Sequence, residues 1–149
     1  MNAVKSFRMS LVVASVALSG VFAAPAQAAS TATVTLQSLI GNRTLECGGK
    51  DAPAVFFVRV KNDQIQAFAR KTSRDEHYSV DKAGVNASNV VVALSNDVDG
   101  PLQTDALILP LAGLSQLGRG TVKTIQAFDA LREGYNGTHT TYELVCRLL

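Results

Sequence analysis

The sequence predicts a small, mainly β protein, a closed antiparallel barrel or a sandwich of seven or eight short strands with one short helix and one disulfide. Three observations predict it. Short runs of β-forming residues are separated by turn residues roughly every 8 to 15 positions, the rhythm of an all-β domain. The only two cysteines, Cys47 and Cys146, stand near opposite ends of the chain that follows an export signal. No internal repeat, low-complexity tract or linker divides that chain, so it reads as one domain.

The first 28 residues form the signal. Lys5 and Arg8 make a basic start without an acid, Leu11 to Ala24 is an apolar run, and Ala26-Gln27-Ala28 is the small-x-small pattern of a signal peptidase site. The run is shorter than the roughly 20 residues a membrane span needs, and Pro25 follows it directly. Cleavage after Ala28 leaves 121 of the 149 residues, a single β-rich domain over 29–149, long enough to bury a core. It also removes two of the 14 basic residues and none of the 12 acidic ones. The formal net charge of +2 thus belongs to the discarded segment. A neutral mature chain gives no electrostatic reason to expect nucleic acid or anionic lipid as a partner.

Along the mature chain, Thr31 to Leu36 alternates, with Ala32, Val34 and Leu36 on one side and three threonines on the other, which predicts a first strand. Turn residues Ile40-Gly41-Asn42 precede a second strand over Arg43 to Cys47, and Gly48-Gly49 with Pro53 mark a loop. Ala54 to Lys61 and Gln64 to Lys71 flank Asn62-Asp63 and predict a tight hairpin. A strand starts at Tyr78 to Val80, and the continuous apolar run Asn89 to Leu94 predicts a buried one, ended by Asp97-Val98-Asp99-Gly100-Pro101. Ala106 to Leu109 is a further strand. Leu111, Leu114 and Leu117 recur every three residues between Pro110 and Gly118-Arg119-Gly120, which predicts a helical turn or two. Thr121 to Leu131 fits strand or helix equally. Thr140 to Leu148 sets Tyr142, Leu144, Cys146 and Leu148 against Glu143 and Arg147, a terminal strand.

Export places the cysteines in an oxidising compartment, where a lone pair forms a structural disulfide. The bridge from Cys47 to Cys146 spans 99 positions, for which loop-closure entropy assigns about 4 to 5 kcal/mol. A redox or metal pair needs closer spacing or neighbouring histidines, and neither is present.

No catalytic motif is complete. Gly113-Leu114-Ser115-Gln116-Leu117-Gly118 misses the nucleophile elbow because its second glycine is one position late. Asp97, Asp99 and Gly100 match part of a calcium loop, but Ala106 occupies the position of the closing carboxylate. Glu76 and His77, as chain neighbours, point to opposite faces of a strand and do not share a ligand sphere. Gly48-Gly49-Lys50 lacks the spacing of a phosphate loop. Sequons at Asn42, Asn86 and Asn136 read as turn sequences behind a bacterial-style signal. The chain is therefore expected to be no enzyme and to need no metal or cofactor.

Binding remains. Lys71 to Ser79 and Arg132 to His139 read as polar loops that each carry a tyrosine and a histidine, the chemistry of recognition surfaces. Arg74, His77, Tyr78, Tyr135 and His139 are the candidate partner-binding residues. The expected protein is a monomeric, soluble, periplasmic or secreted module that engages a protein partner, for example as a hydrolase inhibitor. Its size, signal and bridged barrel resemble small periplasmic lysozyme inhibitors in architecture alone; their Ser-Gly-x-x-Tyr-type loop is absent and no residue carries over. The alternatives are a small-molecule carrier using the barrel interior, or a structural envelope protein. Few large aromatics and no Trp argue for a filled interior. Short strands poor in aromatics argue against an outer-membrane barrel.

Overall fold

The computed structural model describes residues 29–71, 74–96, 103–133 and 138–149. The expected export signal, the expected turn at 97–101 and Tyr135 lie outside the described residues. Among those described, helix α1 (Thr31–Ile40) leads into β1 (Leu45–Gly48), β2 (Val55–Lys61), β3 (Gln64–Lys71), β4 (Arg74–Val85), β5 (Asn89–Asn96) and β6 (Gln103–Pro110). Helix α2 (Leu111–Gly118), β7 (Ile125–Glu133) and β8 (Thr138–Leu148) complete the order. The strands pair antiparallel in sequence order, and β8 returns to β1, closing an up-and-down barrel. Closure decides between barrel and sandwich, and every strand has a bonded neighbour on both sides over at least part of its length.

The expected first strand is instead α1. Its threonines and Val34 favour extended backbone, yet Ala32, Leu36 and Ile40 recur every four residues and are all fully buried, whereas Val34 is exposed. That is a helical stripe, and burial of the stripe outweighs a β preference of a few tenths of a kcal/mol per residue. Ser30 caps the helix by accepting the Thr33 N–H at 3.2 Å. Gly41 ends it at φ +64°, with its own N–H on the Gln37 carbonyl. The domain consequently has two helices rather than one, and Cys47 lies on the first strand rather than the second.

Both helices sit at the same end of the barrel, because α1 precedes β1 and α2 joins β6 to β7. Leu114 and Leu117 of α2 join the α1 stripe in the core. Arg43 ties the helix ends together by donating to the carbonyls of Ile40 at 3.0 Å and Gly118 at 2.9 Å. Gly118 allows the close approach, since a Cβ there would collide with the Leu39 carbonyl. The start of α2 is fixed by the β4–β5 turn, where the Leu111 N–H donates to the Ser88 carbonyl at 2.9 Å. This end is plugged.

The β2–β3 hairpin turns on Asn62 and Asp63, both at positive φ (52° and 56°), and Lys61 faces Gln64 across it. This is the two-residue turn whose twist matches its strands. Residues of period two then fill the interior: Phe56, Val58, Val60, Leu94, Val92, Val90, Leu107, Leu109, Leu144. At the closing seam Cys47 faces Cys146, with Cα atoms 4.0 Å apart, and the two form the expected disulfide. On the outer face of the same seam Arg147 pairs with Glu46 at 3.0 Å. The ambiguous stretch after Gly120 resolves into a short connection and β7, because Ile125, Ala127, Asp129 and Leu131 alternate inward.

Candidate functional site

In an up-and-down barrel the β1–β2, β3–β4, β5–β6 and β7–β8 connections all leave at one end, here the end opposite the helices. Both segments singled out from the sequence therefore converge on the same mouth. They are, however, mostly strand. Lys71 faces Arg74 across the β3–β4 connection, so that the described residues of the expected polar loop, Lys71 and Arg74–Ser79, are strand. Arg74 begins β4, and His77 stands opposite Phe68 in the β3–β4 ladder. On the other hairpin His139 is exposed on β8 and faces Arg132 on β7.

Tyr78 departs most from expectation. It projects inward and is 6% exposed, with its ring edge-on to Phe56 at 6.0 Å between centroids. A strand with Arg74 at the mouth carries Tyr78 four residues down, on the inward phase, where an aromatic ring fills space between layers. It belongs to the core near this mouth and presents no outer contact surface. Of the five candidate residues, Arg74 and His139 stand at the strand ends that frame the mouth, and His77 lies between Arg74 and the core.

Below the mouth the barrel holds two acids that motif searching does not find. Asp105 on β6 and Asp129 on β7 are 1% and 0% exposed. Asp105 stands in register with Leu131 and Leu107 with Asp129, so the carboxyls are diagonal neighbours on adjacent strands, within reach of each other. No N–H among the described residues reaches either oxygen of Asp129. Its pKa is raised from 3.8 to about 7, first by burial, then by the charge of Asp105 and by the hydrogen bond that a protonated carboxyl makes to it. Near neutral pH the two carboxyls therefore share a proton, as closely placed acids do.

The signal for this pair is positional. Asp105 falls in phase with Leu107 and Leu109, and Asp129 in phase with Ala127 and Leu131, so each acid occupies a core position of its strand. Once β6 and β7 are recognised as neighbours, the coincidence is readable from sequence.

What the pair can do is limited by its burial. Neither carboxyl is open to a substrate, and general acid–base chemistry needs contact with one. No group of three or more His, Cys, Asp or Glu side chains gathers anywhere among the described residues. The pair is a proton-holding element of the barrel wall, below the rim. Comparison of the chain with protein-family models, with curated proteins and with solved structures finds no match. The fold and site define a disulfide-bridged, eight-stranded barrel plugged at one end by two helices.

Proposed function

We propose that this is an exported binding module that engages a protein partner through the rim of the barrel opposite α1 and α2. One observation carries the reading: the strand ends that bear Arg74 and His139, far apart in sequence, reach the same end of the barrel. Rigid strands that present short variable connections at one end are a recurrent design for recognition. The formed Cys47–Cys146 bridge is compatible with an oxidising, periplasmic or extracellular location.

The polarity of the wall supports a water-soluble barrel. Inward positions are mostly Leu, Val, Phe and Ala, with the Asp105–Asp129 pair among them, while Glu46, Arg70, Gln126, Glu143 and Arg147 point outward from several strands, the reverse of a lipid-facing wall. The filled interior also weighs against the carrier alternative, because Phe56, Leu94, Leu107 and Leu144 are fully buried in the space a ligand would take.

The test is capture of periplasmic proteins on immobilised protein, read by quantitative mass spectrometry. The variant replaces Arg74, Tyr135 and His139 with alanine and keeps Tyr78, whose loss would damage the core. A partner enriched on the wild type and at least about tenfold depleted on the variant supports the reading, since truncating central contacts costs 1 kcal/mol or more each. Equal capture by both proteins refutes it.

A further inference from the structure

The barrel wall is not sealed along its whole length. β3 and β4 pair from Lys71↔Arg74 to Ala67↔Tyr78 and then separate. The next bonded pair would be Ile65 with Val80, and it is not made. From there Gln64–Gln66 pair with β2 alone, and Ser79–Val85 with β5 alone.

The direction of the backbone groups along the split follows from the turns. The Asn86 N–H donates to the Asn89 carbonyl at 3.0 Å, which makes residues 86 and 89 the bonded pair closing the β4–β5 turn. Bonded pairs alternate along an antiparallel ladder. Gly84 and Lys82 therefore bond to Val91 and Ala93, while Ala83 and Val85 turn their N–H and C=O groups away from β5. The bulge between Val80 and Lys82 resets the phase, so that Val80 also faces the split. On the opposite bank Ile65 does the same, because Gln64 and Gln66 point at β2.

The split opens into a groove. A cavity of about 520 Å³ is lined by Ile65, Val80 and Ala83, with Asp63, Asp81 and Lys82 at its rim and Ser30 of the α1 cap at one end. A second, of about 330 Å³, continues it past Ile65 and Val80 toward Phe68 and Tyr78. Asp81 is held on the bulge by the Ser95 hydroxyl, which donates to its Oδ1 at 2.8 Å.

We infer that the free edge of β4 between Val80 and Val85 takes up an extended segment of a partner protein as an added strand. Unpaired N–H and C=O groups in a row are complementary to another strand and to little else. The length of the edge, about 17 Å at 3.4 Å per residue, suits five or six residues. Ile65 and Val80 call for small apolar side chains on the inward phase. Two carboxylates against one ammonium at the rim call for a basic residue on the outward phase. This inference rests on the protein-binding reading and adds a second contact, on the barrel wall toward the helix end and apart from the rim.

The test follows amide hydrogen exchange in ¹⁵N-labelled protein, with the capped peptide acetyl-Thr-Val-Lys-Val-Thr-Val-amide as probe. In the free protein the N–H groups of Ile65, Val80, Ala83 and Val85 exchange at least about tenfold faster than those of Lys82 and Gly84. Peptide at roughly millimolar concentration slows the four by a similar factor. A version of the peptide with proline at the central position leaves them unchanged, because it cannot bond along the edge. In the protein, Ala83→Pro removes a donor that β5 does not use, so the peptide effect is lost while pairing with Val92 remains. Four amides already as protected as Lys82 and Gly84, or unmoved by the peptide, would overturn the inference. A partner that tolerates Ala83→Pro but not the rim substitutions also overturns it, and leaves the protein-binding reading standing.

Discussion

Replacing Asp129 with asparagine removes one negative charge from the barrel interior with almost no change in volume. In the folded protein this carboxyl titrates near 7, against 3.8 for the free side chain. The difference of about three pK units corresponds to about 4 kcal/mol at roughly 1.4 kcal/mol per unit. The sign follows from proton counting. Between about pH 4 and pH 7 the folded state holds the proton that the unfolded chain has lost, so stability falls as pH rises through that window. Below it both states are protonated, and above it both are charged, so the slope disappears at either side. Asp129→Asn therefore gains up to about 4 kcal/mol over the wild type at pH 8 and is close to neutral at pH 4. Urea denaturation with the disulfide intact, at a series of pH values from 4 to 8.5 or so, reads the difference directly, since groups elsewhere titrate equally in both proteins. Parallel stability curves, or a variant no more stable than wild type at pH 8, would refute the assignment of a shared proton to this pair.

Three further outcomes are expected. Cys47→Ser with Cys146→Ser lowers stability by up to about 5 kcal/mol, the cost of freeing a loop closed across a separation of 99 residues, and native-like circular dichroism before melting shows that the β1–β8 ladder survives without its bridge. Gly118→Ala drives a methyl into the Leu39 carbonyl and costs about 1 to 3 kcal/mol as α1 and α2 are pushed apart; an unchanged melting temperature contradicts the close helix contact. Asp63→Gly relieves the second positive-φ position of the β2–β3 turn and stabilises by about 0.5 to 1 kcal/mol, whereas a loss of stability under denaturant means that the Asp63 side chain contributes more than its backbone costs.

Local chemistry made some elements readable and hid others. The β2–β3 hairpin is legible because Asn62-Asp63 is a turn signal with alternating residues on both sides. The β5 run is apolar on successive residues because Val90, Val92 and Leu94 fill the core while Val91 and Ala93 pair with Ile108 and Ala106 on the outer face. Its assignment as a buried strand holds for that reason. The misreading of α1 has an equally definite cause. Thr31 to Leu36 carries both a period of two and, extended to Ile40, a period of four, and only a surface to pack on selects between them. The barrel end supplies that surface. The sequence starts a strand only at Tyr78 and leaves the residues before it in a polar loop, because those polar residues carry no alternation strong enough to show that β4 begins at Arg74.

The sequence by itself determined the β-rich class, the hairpin, the short α2 and the cysteine pair, since each depends on residues close together or on a count of two. Closure of the barrel, the shared proton of Asp105 and Asp129 and the split between β3 and β4 were decided by the tertiary structure. All three depend on which strands become neighbours and in what register, and a one-residue slip reverses every side chain from core to solvent. That register is set by the whole barrel together, through burial summed over eight strands, and no single segment contains it.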